Sequence, residues 1–225
     1  MPVTAVSRRT CLGSSFDRLL YRTRVLVPGD QIARLVEQVV LPDVRPGDIV
    51  LLSSRAVSAC QGRMIPLSSI EPSRLARTLA SLWRELSQDA PLAHPAAMHA
   101  ALQHDGTLAL SGSTAMLLWR SITGQVSTVL RTGSRGLLRV GQPTDLPVYH
   151  GQLILPPRQP QALARELWKN SGYRVAIVSV RQPGQVQITA LSPGLSPDFI
   201  RLLVLDNPLG KSDALTPIAI LRKRR

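Results

Sequence analysis

The sequence predicts an α+β fold with mixed sheets and flanking helices. Three observations predict it. Short alternating or wholly apolar runs are mixed with amphipathic helical stripes. No internal repeat is present. The chain has 225 residues, 44% of them hydrophobic, which is enough to bury a core in one domain or in a domain with a sub-lobe.

The elements follow in order. Residues 1–20 read as a basic N-terminal arm, and 21–225 as one domain with a sub-lobe around 90–150. Tyr21 to Val27 alternates and reads as a strand. Pro28-Gly29-Asp30 turns the chain, with Asp30 placed as a helix N-cap. Gln31 to Val40 is a helix with Ile32, Leu35, Val36 and Val39 on one face. Arg45-Pro46-Gly47-Asp48 is a turn and Ile49 to Leu52 a short buried strand. A polar loop from Ser53 to Gln61 follows, with Gly62 as its exit.

Met64 to Leu67 is extended. Glu71-Pro72-Ser73 opens a second helix, Pro72 suiting the first position, with Leu75, Leu79, Leu82 and Leu86 as its buried stripe. Asp89 to His104 is helical in part, and Thr107 to Ile122 fits strand or helix. Val126 to Arg131, Gly136 to Val140 and Gln152 to Leu155 read as strands. Pro160 to Asn170 is a helix ended by Ser171-Gly172. Arg174 to Val180 is a strand paired with Gly184 to Leu191. Asp198 to Leu205 is a short helix, and Ile218 to Leu221 a last strand.

The net charge of +13 favours a polyanionic partner, which includes nucleic acid, a phosphorylated ligand and an acidic membrane surface. The charge is scattered, and only Arg222-Lys223-Arg224-Arg225 forms a run, with no stacking aromatics beside it. Two cysteines, Cys11 and Cys60, make neither a disulfide framework nor a zinc site by themselves. Ser7 to Leu12 has a twin-arginine pair, but the apolar stretch of an export signal does not follow it. No run reaches the roughly 18 apolar residues of a membrane span. A cytoplasmic protein is expected.

Thr23 to Asp30, Gly47 to Arg63, Glu71-Pro72-Ser73 and Leu155-Pro156 through Val180 form an ordered set. With Gly184 to Leu195 and Pro217 to Arg222, the set resembles the coenzyme F-420:glutamate ligase family. The resemblance implies a homodimer of an unusual α+β fold. It also implies GTP and a divalent metal, Mg²⁺ or Mn²⁺, that activate a carboxylate for attack by the glutamate amine. Carried over residue by residue, it assigns nucleotide contacts to Thr23, Arg24, Val25, Leu26, Ser54 and Arg55. The family's nucleotide lysine falls on Ala59, with Arg55 four residues earlier as a substitute cation. The family's second metal aspartate falls on Arg181, and Asp145 is the one carboxylate in the interval of the first. A divalent ion needs several oxygen ligands.

Gly210-Lys211-Ser212 matches the end of a phosphate-binding loop, although Leu205 stands where its opening glycine belongs. His94, His99, His104 and His150 lack metal-site spacing and read as surface or cap residues. Ser111-Gly112-Ser113 lacks a nucleophile-elbow context, and Cys60 has no histidine beside it.

The expectation is a divergent ligase-like protein that has lost the metal-dependent chemistry and acts in binding or assembly. The candidate nucleotide residues are Thr23, Arg24, Val25, Leu26, Ser54, Arg55, Gly210, Lys211 and Ser212, with no catalytic or metal residue assigned. GTP and Mg²⁺ or Mn²⁺ enter only if the family activity is retained. One alternative is an active GTP-dependent amide ligase joining glutamate to a carboxylate. The other is a basic scaffold for RNA or a complex, using the N-terminal arm and Arg222 to Arg225.

Overall fold

The computed structural model describes residues 3–86, 91–105, 149–180, 184, 186–209 and 215–224. Expectations for 106–148, Asp145 among them, and for Arg181, Gly210, Lys211 and Ser212 lie outside the described residues. The chain forms two compact units, one of residues 1–63 with 157–225 and one of residues 64–156.

The described strands are β1 (Ala5–Cys11), β2 (Ser14–Tyr21), β3 (Ile49–Ser53), β4 (Met64–Pro66), β5 (Gln152–Ile154), β6 (Arg174–Val180), β7 (Val186–Leu191) and β8 (Ile218–Lys223). The described α-helices are α1 (Ile32–Val39), α2 (Ser54–Cys60), α3 (Arg74–Leu86), α4 (Pro95–Asp105), α5 (Pro160–Ser171) and α6 (Pro197–Leu203). In the first unit, six strands make one mixed sheet in the order β1-β2-β8-β3-β6-β7.

Only β3 and β6 run parallel in this sheet, with Ile49 opposite Arg174 and Ser53 opposite Val178. Both are apolar runs, as strands covered on two faces require. On one face Phe16, Ile49, Leu51, Ala176, Val178, Ala219 and Leu221 pack with Ile200 and Leu203 of α6. Val50, Leu52, Val175, Ile177, Ile218 and Ile220 alternate with these and are buried too. Helix α5 lies against β6 and β7, burying Ala164 and Leu167.

The N-terminal arm is an ordered hairpin. Strands β1 and β2 pair from Ala5–Leu20 to Cys11–Ser14, and the turn uses Leu12 and Gly13 at φ 48° and 72°. Positive φ at both central residues matches the twist of the flanking strands. Polarity hid the hairpin. Strand β1 is an edge strand with exposed positions, and β2 buries Arg18 at 3% exposure. The guanidinium of Arg18 donates to both Asp206 carboxylate oxygens at 2.6 and 2.9 Å, to the Leu203 carbonyl and to the Ser7 hydroxyl.

The expected strand Tyr21–Val27 is also corrected. Strand β2 ends at Tyr21, and residues 22–27 are irregular. Their alternation reflects the packing of an irregular segment, since Thr23 and Leu26 are buried without a ladder.

Just beyond β7, Ser192 is 2% exposed, and its Oγ accepts the Val175 N–H at 2.8 Å. Ser192→Ala leaves that buried donor without its partner. We expect a loss of about 1–3 kcal/mol, read as a lower urea midpoint with an unchanged slope. An unchanged midpoint would contradict this role.

In the second unit, β4 pairs antiparallel with β5. Ser73 caps α3, its Oγ accepting the Ala76 N–H at 3.2 Å, so the helix starts at Arg74 rather than at Pro72. The stripe that α3 buries is Ala76, Leu79, Ala80 and Trp83. Leu75 is 44% exposed, and the Leu86 side chain lies outside the described residues. The real stripe follows i, i+3, i+4, i+7 through two small alanines. Helix α4 packs there through Ala97, Met98 and Ala101, with Leu153 and Leu155 completing the cluster.

Candidate functional site

Pairing directions bring the sequence-predicted segments toward one edge of the sheet. Strands β2 and β3 are both antiparallel to β8, and β6 is parallel to β3. The carboxyl ends of β2, β3 and β6 and the start of β8 therefore share that edge. Crevices outside the carboxyl ends of parallel strands are where open sheets bind ligands. The segment after β2 carries Thr23 to Leu26, and the one after β3 carries Ser54 and Arg55. Backbone bonds tie the edge together: Thr23 N–H donates to the Leu215 carbonyl at 2.9 Å, and Ser53 N–H to the Pro217 carbonyl at 2.8 Å.

The post-β2 residues are largely committed to the fold. The Thr23 hydroxyl donates to the Arg24 carbonyl, and Leu26 is buried. Arg24 is exposed, but its Nη2 lies 2.5 Å from Asp30 Oδ1. The other Asp30 oxygen accepts the Val27 N–H at 2.8 Å. These bonds, the one from Arg24 foremost, hold the Asp30 carboxyl below the usual range. Asp30 is thus a loop clamp. The residue at the helix N-cap is Gln31, with no side-chain cap bond.

The expected polar loop after β3 is the helix α2. Six of its seven residues are buried: Ser54, Ala56, Val57, Ser58, Ala59 and Cys60. A seven-residue helix covered nearly all round shows no amphipathic stripe, so periodicity could not reveal it. Arg55 is the exception. It is partly buried, and burial pulls its guanidinium pKa below the ordinary value. Among the described residues it has no hydrogen-bonding or ion-pair partner.

The helix sets Arg55 one turn from Ala59, on the same face. Ala59 is fully buried, so no cation emerges there. Ser54 is 8% exposed and heads the same turn. Burial first and then the Asp30 charge push the Cys60 thiol up to about 11, which disfavours the thiolate that a nucleophile needs.

The opposite edge is structural. Arg222 binds Asp48 through Nε and Nη2, the shortest contact being 2.7 Å, and reaches the Asp43 carbonyl. The Tyr21 hydroxyl donates to Asp43 at 2.9 Å. Burial, and then this bond, raise the phenol pKa. Arg224 faces Asp17 at 3.6 Å. The C-terminal basic run is therefore partly neutralised within the sheet.

His94 and His99 act as local acceptors, for the Ala96 and Ser73 N–H groups respectively. Among the described residues, no three His, Cys, Asp or Glu side chains come together as metal ligands.

Sequence reasoning missed Gln61 and Arg158, whose contact joins residues 97 positions apart. No local pattern marks such a contact.

A sequence model of one protein family, F420-0:Gamma-glutamyl ligase, matches residues 21–178. No curated protein gives a match to the chain.

Proposed function

Because the chain belongs to the F420-0:Gamma-glutamyl ligase family, we propose that it is a divergent member that binds a nucleotide polyphosphate or a related anion. Ser54 and Arg55 hold the phosphates, and metal-dependent amide ligation is absent. One observation carries the reading: Arg55 is a desolvated guanidinium without a counter-charge among the described residues. An unpaired, partly buried cation costs stability, and a bound phosphate would offset that cost through charge-assisted hydrogen bonds.

The departures at Ala59 and Arg181 support the loss of chemistry. An alanine cannot supply the lysine charge, and an arginine repels the cation that a carboxylate would hold. Arg24 contributes less than the sequence suggested, since Asp30 neutralises it. The RNA-scaffold alternative loses support, because Arg222 and Arg224 face Asp48 and Asp17 and residues 5–21 form a hairpin.

The test is phosphate release from GTP with Mg²⁺ or Mn²⁺, with and without glutamate. The expected result is no glutamate-dependent release. Release that required both glutamate and metal would restore the active ligase and overturn the proposal.

A further inference from the structure

Strand β1 is the outermost strand on one side of the sheet, and among the described residues it pairs with β2 alone. Its outer side presents backbone N–H and C=O groups with no described strand across from them. Open edges are ordinarily blocked by proline, by a bulge or by charge. Strand β1 contains no proline, and its register runs unbroken from Ala5–Leu20 to Cys11–Ser14. Among the described residues, charge is the block that remains. Arg8 and Arg9 sit at the centre of the strand, and residues 1–16 hold no Asp or Glu.

Neither arginine has a carboxylate to itself. Arg8 faces Asp17 at 3.4 Å across the hairpin, but the same carboxylate faces Arg224 at 3.6 Å, so one negative charge serves two exposed cations. Arg9 lies on the opposite face of the strand. Its Nε is buried and has no hydrogen-bond partner among the described residues. Asp206, whose carboxyl feels the Arg9 charge, gives both oxygens to Arg18. A buried donor left unpaired costs stability, and a carboxylate alongside would offset that cost.

This pattern selects an occupant. A second copy pairing antiparallel through the centre of β1 would set arginine against arginine, and like charges directly opposite one another destabilise a strand pair. An extended segment with two adjacent acidic residues would instead meet both cations, because neighbouring residues of a strand face opposite sides of the sheet, as Arg8 and Arg9 do. Val6, on the same face as Arg8, is 64% exposed, and Leu12 in the turn is 77% exposed. They offer apolar contacts towards the two ends of the edge.

We propose that β1 is a docking edge for an acidic extended segment of a partner protein, which adds to the sheet as a further strand. Backbone hydrogen bonds supply the pairing, and Arg8 and Arg9 supply the preference for an acidic strand. It stands independently of the nucleotide reading, because β1 holds none of the residues assigned there.

The experiment follows the backbone amides of the full chain by NMR during titration with a synthetic peptide as long as β1. The peptide carries two adjacent glutamates at its centre, flanked by alternating valine and threonine. Saturable shifts are expected at the amides of Ala5 to Cys11. A peptide with lysines in place of the glutamates, and one N-methylated at alternate backbone amides, are each expected to bind about tenfold or more weaker. Arg8→Gln and Arg9→Gln are each expected to weaken binding of the glutamate peptide about tenfold. Arg8→Gln alters an exposed side chain, so it reads out binding even if Arg9→Gln disturbs the hairpin. No shift at β1, equal binding of the lysine or the N-methylated peptide, or unchanged affinity in Arg8→Gln would each overturn the proposal. Shifts at β1 on diluting the protein alone would overturn it too, since a second copy would then hold the edge.

Discussion

Asp206→Ala is expected to destabilise the first unit by about 3 kcal/mol, while Arg18→Met costs only about 1–2 kcal/mol. The asymmetry follows from exposure. The Arg18 side chain is 4% exposed and that of Asp206 is 41%. Removing Asp206 strands a buried guanidinium that keeps, among the described residues, the Leu203 carbonyl and the Ser7 hydroxyl. Removing Arg18 leaves a carboxylate that water can reach. Urea denaturation of both variants checks the order, and equal losses would contradict it.

The same pair sets an acid limb. The hydrogen bond from Arg18, foremost, holds the Asp206 carboxyl below the usual carboxylate value. A depressed carboxylate contributes stability that is fully present above the unfolded value, near pH 4, and is lost as pH falls through the folded value. Wild-type stability should therefore decline below about pH 4, and the penalty of Asp206→Ala should shrink over the same range. A penalty independent of pH would contradict the ion pair.

Arg55→Met is expected to do two opposite things. It should weaken nucleotide binding about 10- to 100-fold, the loss of one or two charge-assisted hydrogen bonds. It should also raise the melting temperature of the ligand-free protein by about 2–4 °C, because a desolvated cation with no counter-charge among the described residues becomes an apolar side chain. The two readouts together separate a binding role from a structural one. A structural arginine would lower the melting temperature when removed. A solvated one would leave both quantities unchanged.

Much of the first unit was legible because its central strands need apolar residues on both faces. Ile49 to Leu52 and Val175 to Val178 announce themselves. Helix α5 is marked by Pro160 at its start and Gly172, left-handed at φ 73°, at its end. The hairpin of β1 and β2 was not legible, since the partner that makes Arg18 buriable is 188 residues away. The helix α2 was hidden by burial on nearly all sides.

The candidate site was legible in part. Ser54 and Arg55 were picked out, but only the helix shows that Arg55 and Ala59 share a face. Arg24 was picked out as well, while its neutralisation by Asp30 depends on how the intervening loop folds.

The central proposal is that this family member keeps an anion site and has lost its metal chemistry. The most direct measurement is calorimetric titration of GTP into the purified chain, first in EDTA and then with excess Mg²⁺ or Mn²⁺. The account predicts binding in EDTA, little changed by metal and lost in Arg55→Met. Binding that appears only with metal would contradict it, because carboxylates would then be rebuilding the metal site. No binding under either condition would contradict it as well, and would leave the fold without its anion site.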